Sequence, residues 1–259
     1  MLDLFSTPGE GRAERLIAVY DAEIRFMDLQ IGRLLKALSR RGYDQDSVVA
    51  VIADHGEGLG DHDWWSHGLL YQEQIRVPFV LRAPGLVSGT RVASLVRGID
   101  LAPTLLEATG TPRALWPQMD GQSLWPALFS KEPFPELTAY ADSVNRLRYG
   151  RFDDPDRMDD KRDRLYSLVR GDVKVILHEL DPGKNEAYDL TRDPAERNNL
   201  ASAPTPEMKL LLDRIPKMGA LSTIERGETD TPVEREDALR ALGDRKSTRL
   251  NSSHVKRYR

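Results

Sequence analysis

Ser47-Val48-Val49-Ala50-Val51-Ile52-Ala53 runs straight into Asp54-His55-Gly56-Glu57-Gly58-Leu59-Gly60-Asp61-His62, and this stretch decides the fold. After Ser47 the first part is continuously apolar and rich in β-branched residues, as expected of a strand buried on both sides in a parallel sheet. An aspartate and a histidine close that strand at its C-terminal end, where open α/β sheets place their ligand sites. A carboxylate oxygen and an imidazole nitrogen side by side suit one divalent cation, and the glycines that follow let a loop fold tightly over it. An Asp-His pair at a strand end also serves as a plain loop cap. Three of the chain's five histidines, His55, His62 and His67, fall in this one loop, which favours the metal reading.

Outward from the strand, Leu16, Ile17, Tyr20, Ile24, Met27, Ile31, Leu34, Leu35 and Leu38 recur at spacings of three and four. They predict a long amphipathic helix from Glu14 to Leu38, stopped near Gly42. Downstream, the loop reaches about Gln74 and a second apolar strand, Pro78 to Arg82, ends at the turn pair Pro84-Gly85. Asp100 to Ala108 reads as a helix with Asp100 as N-cap and Pro103 in its first turns, and Ser123 to Phe129 as a short one. Helices and strands alternate, so residues 1–130 are expected to be an α/β layer with a mostly parallel sheet flanked by helices.

Residues 131–218 predict a small antiparallel α+β subdomain. Tyr166 to Val169 and Val173 to His178 flank Gly171-Asp172, a hairpin turn signal, and Ala187 to Leu190 supplies a third strand. Phe152 to Arg164 is dense in charge of both signs and reads as a solvated loop. Asp193-Pro194 opens a helical stretch and Met208 to Ile215 another. Residues 219–259 form a polar tail, expected to be poorly ordered, and its basic end from Lys246 resembles adapter read-through.

Of the 259 residues 40% are hydrophobic and 30% charged, which suits a globular chain with a substantial core. A net charge of -4 gives no general attraction for nucleic acid, so any bound anion needs a local site. With no cysteine, thiolate metal sites, disulfides and thiol nucleophiles are excluded. Met1 to Glu10 lack the pattern of a signal peptide and no stretch is apolar for long enough to span a bilayer.

The chain resembles the sulfatase family of the alkaline-phosphatase superfamily. The resemblance rests on Tyr20-Asp21-Ala22-Glu23-Ile24, Asp54 to Gly60, Ser66-His67-Gly68 with Leu70-Tyr71, and Arg76-Val77-Pro78. It continues through Asp100 to Leu106 and Asp120-Gly121-Gln122-Ser123-Leu124, to Ala187-Tyr188-Asp189-Leu190 and Asp193 to Leu200. Order and spacing agree over about residues 14–202.

That resemblance implies an alkaline-phosphatase-like fold, of which this chain is the C-terminal part. It implies hydrolysis of a sulfate ester, small-molecule or glycan, with Asp54 and His55 as two ligands of one divalent metal, calcium first and manganese, zinc or magnesium as alternatives. His67 falls where relatives place a lysine or histidine facing the bound anion, for general acid or electrostatic catalysis; a structural histidine is the alternative. Two further acidic ligands and a formylglycine nucleophile are implied to lie in a missing N-terminal segment, so the isolated chain is expected to be inactive. No nucleic-acid partner is expected, and a periplasmic or extracellular setting suits the full-length protein.

Several residues carry a second reading. His62 lines the pocket or, as preferred here, ties the loop down. Arg76 suggests a structural salt bridge rather than an anion clamp. Trp64 and Trp65 wall a pocket or simply pack. Within the superfamily the competing activities are phosphoesterase, phosphonate hydrolase and phosphoethanolamine transferase. A non-catalytic binding relative is the alternative from another class.

Overall fold

The computed structural model describes residues 11–130, 134–145 and 163–222. It divides into two compact units, 1–216 and 217–259; of the second, only the end of one helix is described. Most of the charge-dense segment and the tail from 223 lie outside the described residues.

The chain begins with α1, Arg12–Ser39, entered through Gly11 and left through Arg40. Its length and position follow the apolar period, but no residue of α1 is buried, and Ile24, Met27 and Leu34 are all exposed. Leu16, Tyr20, Ile31, Leu35 and Leu38 of the expected apolar face are only partly covered.

β1 (Val49–Ile52) pairs with β2 (Phe79–Arg82), Val51 opposite Val80, and the pairing is antiparallel. Parallel pairing of Ser47–Ala53, and burial of both its faces, are therefore not seen among the described residues. A parallel return needs a long crossover, usually helical. The only α-helix between these strands is α2, Gln72–Ile75, so the chain simply doubles back. Val51 and Val80 leave one face of the pair open to solvent.

α3 (Leu101–Ala108) and α4 (Trp125–Phe129) form as expected, with Asp100 as the N-cap residue of α3, but its side chain makes no cap bond to that helix. Its fully buried carboxylate accepts bonds from the Arg97 backbone N–H (3.1 Å), Nε (3.0 Å) and Nη2 (2.7 Å), and from Gln122 N–H (3.0 Å). Those bonds, with the opposite charge, raise the guanidinium pKa of Arg97 despite its partial burial. Thr104 extends the knot: its hydroxyl donates to the Asp100 carbonyl (2.6 Å) and accepts Leu124 N–H (2.9 Å).

The second sheet has the order β3-β4-β5-β6, antiparallel throughout, from Thr138–Asn145, Asp163–Arg170, Val173–His178 and Glu186–Asp189. β4 begins inside the expected charged loop, because Asp163 is buried and accepts His178 Nδ1 (2.9 Å) and Leu180 N–H (3.1 Å). Leu168, Val175 and Ala187, opposite one another in the ladder, are buried on one face of the sheet and Ile176, packed with Leu165 and Tyr188, on the other. Met208, Leu211 and Ile215 of α5 (Pro206–Ser222) are buried at spacings fitting one helix face. The helix expected at Asp193-Pro194 is a turn instead. The Asp193 carboxylate caps the N–H groups of Arg197 (3.1 Å) and Asn198 (2.8 Å), and Glu196 adopts φ 54°; this local bonding competes with a helix.

Candidate active site

The loop after β1 folds back on itself by backbone bonds: Gly56 N–H to Gln74 O (2.8 Å), Gly58 N–H to Ser66 O (2.9 Å) and Gly60 N–H to Trp64 O (2.9 Å). Glycine is required at two of these points. A Cβ on Gly56 would sit 2.0 Å from the Glu73 carbonyl oxygen, and Gly60 has φ 105° with the Trp65 ring against it. Trp64 packs at the same turn, its indole N–H 3.4 Å from His67 O.

This folding brings His67 to His55, with ring centroids 4.2 Å apart. His55, Glu57 and His67 each offer one ligand atom, and those atoms lie within 4.8 Å of one another. Asp54 stands beside them, its Oδ2 3.9 Å from His55 Nε2. The Asp54 carboxyl is held below the usual carboxylate range, first by the N–H of His55 (3.0 Å), then by its own N–H and by the His55 ring. His55 Nδ1 lies 2.7 Å from the Gly56 carbonyl oxygen, which only accepts, so Nδ1 is the donor there and Nε2 is left for another partner. His67 Nδ1 is likewise 3.1 Å from Glu57 Oε2, leaving Nε2 for other work.

All three residues singled out from the sequence, Asp54, His55 and His67, thus stand together. Glu57 was missed, although it sits two residues from His55 in the same motif. Imidazole and carboxylate donors gathered in this way could hold a metal ion.

The remaining candidates separate. Arg76 is exposed and makes no ion pair among the described residues, where the expected structural salt bridge is therefore not seen; its N–H bonds Gln72 O at the end of α2. His62 is half-buried and ties the loop down. Its Nδ1 is 2.9 Å from Glu73 Oε1, its Nε2 is 3.1 Å from the Glu196 carbonyl, and its ring stacks on Tyr71 at 3.6 Å. Tyr71 in turn donates to Glu186 of β6 (2.8 Å), and burial followed by that carboxylate pushes its phenol pKa well up. Beside His67, the hydroxyl of Ser143 in β3 donates to Gly68 O (2.8 Å). The loop is therefore held by the second sheet from several sides.

Two family models match the chain: Sulfatase over residues 3–111, and the N-sulphoglucosamine sulphohydrolase C-terminal model over residues 60–217. An N-acetylglucosamine-6-O-sulfatase of Bacteroides thetaiotaomicron is 30% identical over 182 residues, 70% of this chain and 31% of that protein. The solved structure of BT4656 in complex with its substrate D-glucosamine-2-N,6-O-disulfate superposes with TM-score 0.61 at 25% identity, covering 78% of this chain and 40% of that one. A phosphonate monoester hydrolase of Agrobacterium radiobacter gives TM-score 0.57 at 25% identity, covering 75% and 38%. The α/β, alkaline-phosphatase-like fold expected from the sequence is that of these neighbours. The chain spans about a third of the length of the curated relatives it matches. With the C-terminal model covering well over half of its residues, the chain belongs to the sulfatase family.

Proposed function

We propose that this chain carries part of the active site of a metal-dependent sulfuric ester hydrolase, acting on a small-molecule or glycan sulfate ester. Asp54 and His55 hold one divalent cation, and His67 assists the displacement. The observation that carries the reading is the convergence of His55, Glu57 and His67 within 4.8 Å, at the end of a strand and beside Asp54. A cation bound there supplies Lewis acidity toward the sulfate oxygens. Calcium is the first expectation for that cation, with manganese, zinc or magnesium as alternatives, since one carboxylate and one imidazole suit any of them.

The chain's own residues divide the remaining work. Asp54, kept ionised by the His55 N–H, brings negative charge to the cation site. His55 spends Nδ1 on Gly56 and keeps Nε2 for coordination. His67 spends Nδ1 on Glu57, which orients the ring. With the ring carrying a proton on each nitrogen, balanced by the Glu57 carboxylate, Nε2–H would give its proton to the departing ester oxygen or hold its developing charge, leaving the ring neutral. The sequence contains no cysteine, so in this reading a formylglycine nucleophile comes from chain beyond these 259 residues. The phosphonate monoester hydrolase likeness favours a second reading, the same displacement at phosphorus.

The test assays an aryl sulfate and an aryl phosphonate side by side, with this chain and with a full-length relative, while metal content is measured. The short chain is expected to show no turnover. In the relative, the change matching His55→Ala should remove metal and turnover together. The change matching His67→Ala should keep the metal and lower turnover about a hundredfold, the scale of a lost general acid or oxyanion donor. Loss of metal from that second variant would make His67 a ligand instead. Metal-dependent turnover by the short chain would overturn the external nucleophile.

A further inference from the structure

Lys174 of β5 and Glu196 are both fully buried, with Nζ 2.5 Å from Oε1. Burial pulls the lysine pKa down and the glutamate pKa up, each opposed by the partner's charge. Such a pair adds little net stability, since well-packed apolar residues in its place are often as good or better. The other atoms of Glu196 show a separate use. Its Oε2 accepts Gln72 N–H at 2.6 Å, and its main-chain oxygen lies 3.1 Å from His62 Nε2. The turn that aims both groups is pinned by the Asp193 carboxylate. From these two points the bonds run to the site: His62 to Glu73, the side-chain oxygen of Gln74 to Leu69 N–H (2.8 Å), and the Gln74 carbonyl to Gly56 N–H.

We propose that Lys174 and Glu196 are positioning residues for the loop that carries His55 and His67. Lys174 neutralises the buried carboxylate, and the carboxylate fixes Gln72 where the loop turns into α2. The Glu196 carbonyl holds His62 at the loop's outer bend. The C-terminal sheet thereby sets the separation of the two site histidines without touching either. The inference rests on the loop being the reactive site.

Backbone amide hydrogen exchange on the 259-residue chain tests it. In the unaltered protein, Gln72 N–H should exchange about as slowly as the amides of β5. The double variant Lys174→Met, Glu196→Leu removes both charges and the acceptor. It should melt near the parent temperature yet exchange Gln72, Leu69 and Gly58 at least about tenfold faster. The double variant Lys174→Met, Glu196→Gln keeps an acceptor oxygen without a buried charge and should restore slow exchange in the loop. A role in packing alone would leave the two double variants alike, and that outcome overturns the proposal. So does fast exchange of Gln72 in the unaltered chain, a result that needs no variant to fold. Exchange requires no turnover, so a failed anchor and a failed sulfatase assay are separate results.

Discussion

The two layers of this chain both carry apolar runs at regular spacing, to different effect. In the C-terminal layer, Leu168, Val175, Leu211 and Ile215 are shut away from solvent by β3–β6 and α5. In the N-terminal layer, no residue of α1 is fully buried and Val80 on β2 is 60% exposed. The lesson is that apolar period specifies an element and the face it would bury, while burial itself depends on a partner arriving from elsewhere. The site loop lies within the N-terminal layer in sequence, between β1 and β2, yet His62, Tyr71 and Gly68 bond to the C-terminal one.

The comparison breaks most sharply on core truncation. Leu168→Ala should cost about 2–5 kcal/mol, the range for a leucine cut out of a packed core, whereas Val80→Ala should stay within about 0.5 kcal/mol. Urea unfolding of both variants checks this, and equal effects would erase the distinction. A second test asks whether the N-terminal layer has any fixed polar interior. Thr104→Val keeps the shape but leaves Leu124 N–H without its acceptor, for an expected loss of about 1–3 kcal/mol. No loss would mean the knot around Asp100 holds without it.

The smallest effect sharpens the C-terminal side. His178 places Nδ1 2.9 Å from Asp163 and Nε2 3.1 Å from Glu186, so a ring protonated on both nitrogens satisfies both carboxylates. Burial lowers its pKa, but these bonds and charges outweigh burial and raise it above the ordinary histidine value. A raised folded-state pKa means the contribution is complete below about pH 6.5 and is lost as pH rises through the folded value. Unfolding midpoints of the parent and His178→Gln should therefore differ most in mild acid and converge at higher pH. A gap that widens with pH would reverse the assignment.

Much of this was legible from local signals. Helix α1 followed from its three-and-four spacing, the hairpin β4–β5 from Gly171-Asp172 between two β-like runs, and the site from Asp54-His55 and three histidines in one glycine-rich loop. Elsewhere local signals misled. Asp193-Pro194 resembles a helix start, but its carboxylate bonds forward to Arg197 and Asn198 and makes a turn. Asp100 resembles a cap, but a buried carboxylate gains more from the Arg97 guanidinium than from a helix N–H.

The sequence by itself determined α1, the β4–β5 hairpin and which residue types stand ready for chemistry, because periodicity, turn chemistry and the Asp-His-Gly-Glu motif act over a few neighbouring residues. It did not show β3. Only the tertiary structure decided that β1 returns antiparallel, that Glu57 meets His67, and that Glu196 grips Gln72 from 124 positions along the chain. No local pattern encodes such a contact. It exists because burial of the C-terminal sheet brings a distant carboxylate beside a lysine that neutralises it, and leaves one oxygen free for the loop.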